Sequence, residues 1–401
     1  MEFRRIQNLP PYVFSIINNL KIEARRSGAD VIDLGFGNPD IPSPQIAVDK
    51  LTEAAQMSRN HRYSLSRGLP KLREAIAGYY ERTWGVQLDP ELEITNTIGS
   101  KEGFSHLMWV LLDHDDAAIV PSPSYPIHIY GPLFAGADLR QVPMRGLTHP
   151  EARANFEDDF FASLTTAYDI GWPKPRVLVI SFPHNPTGAT VDLSFMQRVV
   201  DFCRERDMIV VHDFAYADVG FDGIQPPSIL QAEGAKECAV ELYSMTKSFS
   251  MAGWRCAFLL GNAEVVQALV KLKSYLDYGM FQPVQIAATV TLNEATDFPK
   301  EVCRTYERRC DTLIDGLSRI GWEIPKPGGS MFVWAPIPEP YAELDSVEFC
   351  SLIVSDCDVA LSPGLGFGPG GEGYVRFALI ENEKRIQQGI RNLKRGLTKL
   401  G

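Results

Sequence analysis

The chain has 401 residues, 45% hydrophobic and 22% charged, a globular composition long enough for one large domain and a smaller companion. Its 39 lysines and arginines face 50 aspartates and glutamates, a formal charge of −11. That balance argues against a nucleic-acid partner, since affinity for a phosphate backbone comes from neutralising its charge.

No uncharged apolar stretch approaches the ~20 residues that cross a bilayer, so no membrane partner is expected. The opening Met-Glu-Phe-Arg-Arg-Ile-Gln lacks the apolar centre of a secretory signal, which predicts a cytoplasmic protein. Seven cysteines are scattered without a Cys-x-x-Cys pair. Neither a disulfide framework nor a metal site is expected from them.

In chain order, apolar runs alternate with amphipathic stretches. The runs are Val31–Leu34, Ala117–Val120, Arg176–Ile180, Met208–Val211, Cys238–Leu242 and Cys256–Leu260. Strands this apolar are buried on both faces, the usual state of a mostly parallel sheet covered by helices. A helix is predicted from Lys71, and another over Leu193–Glu205 behind Asp192 as its N-cap. Strand and helix in alternation give an α/β fold. Near Phe281-Gln-Pro283 the pattern changes to a charged helix over Val302–Ile320, then short strands around Met331–Trp334 and Tyr374–Phe377. The expected division is a large domain over 51–283 and a smaller α+β domain made of 1–50 and 284–401.

Four features fall at or beyond strand ends, the edge where open α/β sheets bind ligands. Thr97-Ile-Gly-Ser-Lys-Glu-Gly103 opens a helix, and Gly99, Ser100 and Lys101 there present N–H groups and a hydroxyl suited to phosphate. By itself this is equally a simple helix start. Ser181-Phe-Pro-His-Asn-Pro-Thr-Gly188 reads as a turn that projects Asn185 into the crevice. Ile209–Asp213 ends an apolar strand in a carboxylate, with Tyr216 three residues on. A buried Asp213 needs a cation or several donors, which a structural ion pair, a helix N-cap role or a protonated pyridine ring would each supply. Ser244–Arg255 sets Lys247 among hydroxyls and small residues, a sheltered place that lowers an amine's pKa and makes it nucleophilic. Ser244 and Arg255 suit a phosphate beside it.

Together these residues resemble the class I/II aminotransferases of the fold type I pyridoxal-phosphate enzymes, from Gly35-Phe-Gly-Asn-Pro-Asp40 to Arg376. Within them, Pro10–Phe14, Tyr63–Gly68, Pro123–Tyr130, Lys273–Gly279 and Val375–Asn382 are most similar to bacterial glutamate–pyruvate (alanine) aminotransferases. The resemblance implies pyridoxal 5′-phosphate held as a Schiff base by Lys247. It pairs Asp213 with the pyridinium nitrogen, places Asn185 and Tyr216 on the ring oxygen, and stacks Tyr125 on the ring. It also sets Ser100, Lys101, Ser244 and Arg255 around the phosphate, Lys101 through its backbone N–H. Arg376 would clamp the substrate's α-carboxylate, with Gly37 and Asn185 also touching substrate. Tyr63 would reach the phosphate of a neighbouring subunit, which implies a homodimer with shared sites.

The implied reaction moves an amino group between L-alanine and 2-oxoglutarate in ping-pong order. LL-diaminopimelate, aspartate, methionine or aromatic donors are the alternatives, ahead of a β-lyase or a non-catalytic regulator. Tyr12 and Tyr130 are the residues named for a second substrate carboxylate. Two departures stand out: Ala257 replaces a common glycine beside Cys256, and Phe214 stands where many relatives carry glutamate.

Overall fold

A computed structural model describes residues 13–144 and 155–398 together with Phe3 and Leu9; Tyr12 lies outside the described residues. Its strands are β1 (Ile32–Asp33), β2 (Ile94–Ile98), β3 (Ala117–Ser122), β4 (Asp138–Pro143), β5 (Pro175–Ile180) and β6 (Ile209–Phe214). They continue with β7 (Ala239–Ser244), β8 (Cys256–Gly261), β9 (Phe332–Pro336), β10 (Val359–Ala360), β11 (Ser362–Pro363) and β12 (Tyr374–Ala378). Seven of them form one sheet in the order β2-β8-β7-β6-β5-β3-β4. Only β8 runs against the others in it, being antiparallel to both β7 and β2.

Alternation along the strands explains why their runs are apolar throughout. Leu178 and Ile180 of β5 and Val210 and Phe214 of β6 enter the core on one face. Val177, Val179 and Val211 enter the core on the other. Successive side chains point to opposite faces, so a sheet covered on both needs hydrophobes at every position.

The apolar runs do not find every strand. β4 lies at the sheet edge with most of its residues partly or fully exposed. β2 reads Ile-Thr-Asn-Thr-Ile; of its buried polar side chains Asn96 is paired, its Nδ2 donating to the Ala257 carbonyl at 2.8 Å, while the Thr95 and Thr97 hydroxyls have no hydrogen-bond partner among the described residues. The run Val31–Leu34 belongs elsewhere: its two-residue β1 pairs with β10, not with the large sheet.

The helices follow their caps. Pro70–Trp84 begins at Pro70, with Pro in the first turn, and ends at left-handed Gly85. Leu193–Arg204 starts behind Asp192, whose carboxylate accepts the Phe195 N–H at 2.9 Å. The long helix spans Phe298–Ser318, starting four residues before the predicted Val302.

A second core surrounds the antiparallel sheet β11-β12-β9 and includes Ile17, Ile32, Tyr306, Phe349 and Phe377. Ala47, Ala288 and Leu292 instead pack in the large core. Helices Gln45–Ala55 and Gln282–Glu294, which carry them, pack on each other. We therefore place the division of packing near Phe298, which touches both cores, rather than at residue 283. Among the described residues no helix is long and apolar enough to cross a membrane.

Behind the strand ends lies a buried polar network. Glu241 Oε1 accepts from Tyr80 Oη at 2.7 Å and Ser228 Oγ at 2.8 Å, while Oε2 accepts the Ile229 N–H at 2.9 Å and lies 2.8 Å from His212 Nδ1. Glu241 and His212 are fully buried. Replacing Glu241 with Ala strands these donors, so Glu241→Ala is expected to cost about 3 kcal/mol or more. Urea unfolding would read this as a lower midpoint at unchanged slope, and an unshifted midpoint would contradict it.

Candidate active site

The cavity opens where the carboxyl ends of β5, β6 and β7 meet the loop after β1 and strand β12 of the smaller sheet. Asp213, at the end of β6, points to the cavity because strand alternation sends His212 and Phe214 the other way. Phe214 packs in the large core, 5.3 Å from the Trp84 ring. The departure from glutamate there changes packing, not the polarity of the site. Ala257 is likewise fully buried in β8.

One Asp213 oxygen lies 2.8 Å from His128 Nε2, and His128 Nδ1 lies 3.0 Å from Ser124 Oγ. The other, Oδ1, is buried without a hydrogen-bond partner among the described residues. A buried carboxylate oxygen in that state needs an external donor. Ser100 Oγ is buried and unpartnered in the same way, at the start of helix Ser100–Leu111. These are the two ends that a protonated ring nitrogen and a phosphate would satisfy.

Lys247 stands on a single helical turn, Met245–Ser248, capped by the Ser244 hydroxyl, which accepts the Thr246 N–H at 3.2 Å. Its amine donates to the Gly37 carbonyl at 2.9 Å and lies 6.0 Å from the Tyr216 ring centre. Burial, and then the charges of Arg376 and Arg255, push the amine down to about 7. Burial also holds the Tyr216 phenol well above its ordinary range, so it can serve as a hydrogen-bond donor.

Arg255 adopts a left-handed backbone conformation at the edge of the cavity. A Cβ on Gly99 would lie 2.0 Å from its guanidinium, and Gly99 itself has φ +84°. Only glycine lets the Ser100 turn approach Arg255 so closely. Arg376 crosses from β12 to donate to Asn185 Oδ1 at 2.9 Å and to the Gly35 carbonyl at 3.1 Å. Its guanidinium lies 3.8 Å from the Phe332 ring centre and 4.5 Å from that of Phe367. A Cβ on Gly37 would strike the Phe332 ring at 2.6 Å.

The structure thus brings Gly37, Ser100, Lys101, Tyr125, Asn185, Asp213, Tyr216, Ser244, Lys247, Arg255 and Arg376 to one cavity. Tyr63 is not among its lining residues; it is 83% exposed and stacks on Tyr278 at 4.5 Å. Tyr130 does not line the cavity either and stacks on Phe134. Sequence reasoning gave no role to His128 or to the apolar wall of Phe14, Phe36, Ile127, Phe332 and Phe367. His128 sits inside the quoted Pro123–Tyr130 segment, but no local pattern says that its helix meets β6. Three cationic side chains, Lys101, Arg255 and Arg376, line this cavity beside the Lys247 amine and a single carboxylate, Asp213. Such a cavity favours a ligand with several negative charges.

The comparisons with known proteins agree with this geometry. The family model for aminotransferase class I and II matches residues 29–393. The glutamate-pyruvate aminotransferase AlaC of Escherichia coli is 48% identical, over 98% of this chain and 93% of its own. The LL-diaminopimelate aminotransferase of Moorella thermoacetica is 41% identical, over 100% of this chain and 99% of its own. Among solved structures, substrate-bound BacF from Bacillus subtilis superposes with a TM-score of 0.90 at 33% identity, covering 98% of each chain. The chain belongs to the class I and II aminotransferases. It is a fold type I enzyme that uses pyridoxal 5′-phosphate to transfer amino groups.

The lowered amine predicts a pH signature. Below about 7 Lys247 holds its proton and cannot attack an aldehyde; above it the neutral amine can. Labelling of Lys247 by pyridoxal, trapped with borohydride and mapped by mass spectrometry, should accelerate through pH 7 and then level. A rate still climbing toward pH 10 would mean an ordinary lysine.

Proposed function

We propose that this aminotransferase exchanges an amino group between L-alanine and 2-oxoglutarate, with Lys247 as its nucleophile and proton carrier. The observation that carries the reading is the lowered Lys247 amine, which shares one cavity with the unpartnered Asp213 oxygen and the Arg376 guanidinium.

Pyridoxal phosphate, when bound, supplies an aldehyde that captures amines and a ring that takes up electrons from the substrate's α-carbon. Asp213 holds the proton on the ring nitrogen, and His128 and Ser124 fix the orientation of Asp213. Asn185 and Tyr216 donate to the ring oxygen, and Tyr125 covers the ring face. Ser100, the Lys101 N–H, Ser244 and Arg255 hold the phosphate, using the open N–H groups of a helix start and charge-assisted bonds. Arg376 fixes the α-carboxylate by its planar fork, near Gly37 and Asn185. Lys247, whose amine is lowered to about 7, would accept the substrate's α-proton on Nζ and could give it back from the same atom. The first oxo acid leaves before the second enters, which is ping-pong order.

Two observations support alanine. The 48% identical relative is a glutamate-pyruvate aminotransferase, and the wall around Arg376 is aromatic and aliphatic, suited to a short apolar side chain. The 41% identical LL-diaminopimelate aminotransferase supports the second reading, the same chemistry on a longer donor. A homodimer with shared sites is part of the proposal. Tyr63, Leu65, Tyr275, Tyr278 and Phe281 are large exposed hydrophobics, and Tyr63 and Tyr278 stack, as expected of a surface that another subunit covers.

A panel of amino donors against pyruvate and 2-oxoglutarate tests the substrate. Alanine with 2-oxoglutarate should give the highest kcat/KM, whereas selective use of LL-diaminopimelate would replace this reading with the second. Lys247→Ala should lower kcat by at least about a hundredfold. A variant that kept turnover would remove Lys247 from the chemistry.

A further inference from the structure

Helix Ser100–Leu111 carries an apparent electrostatic contradiction. Its N-terminal turn is to receive a phosphate, yet Glu102 lies in that same first turn. A carboxylate there repels the dianion that the helix start attracts. The contradiction is resolved from another helix. Lys273, near the end of Ala263–Leu276, is fully buried, with its amine 2.6 Å from Glu102 Oε1 and 2.8 Å from Asp277 Oδ2.

A buried ammonium is tolerated only in such a setting, and each carboxylate is in turn held where it can pair. His106 Nδ1 lies 2.7 Å from the same Glu102 oxygen. The second Glu102 oxygen accepts the Ile98 N–H at 2.8 Å. One side chain therefore spans the whole turn that bears Gly99, Ser100 and Lys101, and Lys273 fixes that side chain.

The other arm of Lys273 reaches a different segment. Asp277 Oδ1 accepts the Gly279 N–H at 2.7 Å, and the Asp277 carbonyl accepts from Ser66 Oγ at 2.6 Å. The Tyr278 and Met280 carbonyls accept from Ser64 Oγ at 3.2 and 2.7 Å. Ser64 follows Tyr63, which stacks on Tyr278. Lys273 is thus the joint between the phosphate turn and the segment that carries Tyr63.

We propose that Lys273 is a positioning residue for the phosphate end of the cofactor site, holding the turn 98–102 in place through Glu102 and tying it to the Tyr63 segment through Asp277. This rests on the reading of Ser100 and Lys101 as phosphate-binding. It makes no claim that Lys273 touches the cofactor.

The test compares two ligands on the full-length protein stripped of cofactor: pyridoxal phosphate, and pyridoxal, which lacks the phosphate. Each is titrated by absorbance or fluorescence, and the ratio of the two affinities isolates the phosphate contribution. Glu102→Gln is the decisive variant. It removes the repelling charge, but its amide offers a single acceptor and cannot serve both Ile98 and Lys273. Positioning predicts that the preference for pyridoxal phosphate falls by about tenfold, with pyridoxal affinity unchanged. Lys273→Met should lower the preference at least as far, and if that variant does not fold, Glu102→Gln decides alone.

An unchanged or increased preference in Glu102→Gln would overturn the proposal, because charge cancellation would then be the whole role of Lys273. Parallel weakening of both ligands would overturn it too, as general damage to the pocket. A wild-type protein that bound pyridoxal phosphate no better than pyridoxal would refute the phosphate-site reading itself, and this proposal with it.

Discussion

The site is organised around an amine that is kept from being charged. Lys247 has a backbone carbonyl as its hydrogen-bond partner, and the charges that act on it are those of Arg376 and Arg255. Burial, and after it these cations, push the amine toward the neutral form, which is the form able to attack and to accept a proton. The same cations make the cavity attractive to anions. The cations therefore add to the effect of burial on the lysine and also favour anionic groups in the cavity.

That arrangement needs two units to meet. Lys247, Arg255 and Asp213 come from the ends of the large sheet, whereas Arg376 stands on β12 of the small one and Gly37 on the loop after β1. The hydrogen bonds from Arg376 to Asn185 and from Lys247 to Gly37 cross that meeting line. Arg376 keeps its stem and guanidinium against Phe332 and Phe367, so its fork is held rigid before any substrate arrives. Preorganisation of this kind reduces the ordering cost on binding.

The sequence made much of this legible, for identifiable reasons. Residues at strand ends are marked by the apolar run before them, so Asp213, Asn185 and Lys247 could be found from the chain alone. Buried runs also announced β3, β5, β6, β7 and β8. What stayed hidden depends on contacts between distant segments. β2 is polar but buried, because Asn96 is satisfied by the Ala257 carbonyl across the sheet. Val31–Leu34 looks like any other buried run, and only its partner β10 shows which unit owns it. His128 lies on a helix whose face has no marker of its own, and it becomes significant only where it meets Asp213, 85 positions away.

The part least legible in the sequence is the apolar wall of the cavity. The groups proposed to hold the cofactor sit at strand ends and glycine turns, where geometry leaves few options. The wall is different in kind: Phe14 begins a helix, Phe36 and Phe367 stand in loops or short turns, and Ile127 lies in the first turn of Pro126–Ala135. Loops and helix starts on a rigid scaffold can change without disturbing the sheet. A glutamate-pyruvate aminotransferase and an LL-diaminopimelate aminotransferase can therefore both stand above 40% identity to this chain. Identity at that level therefore leaves the choice between the two donors open. Gly37 joins the two parts, because its missing Cβ lets Phe332 close against Arg376. The apolar wall thus begins beside Arg376, the residue proposed to bind the α-carboxylate, and on that reading the adjacency favours a donor whose side chain ends soon after its α-carbon.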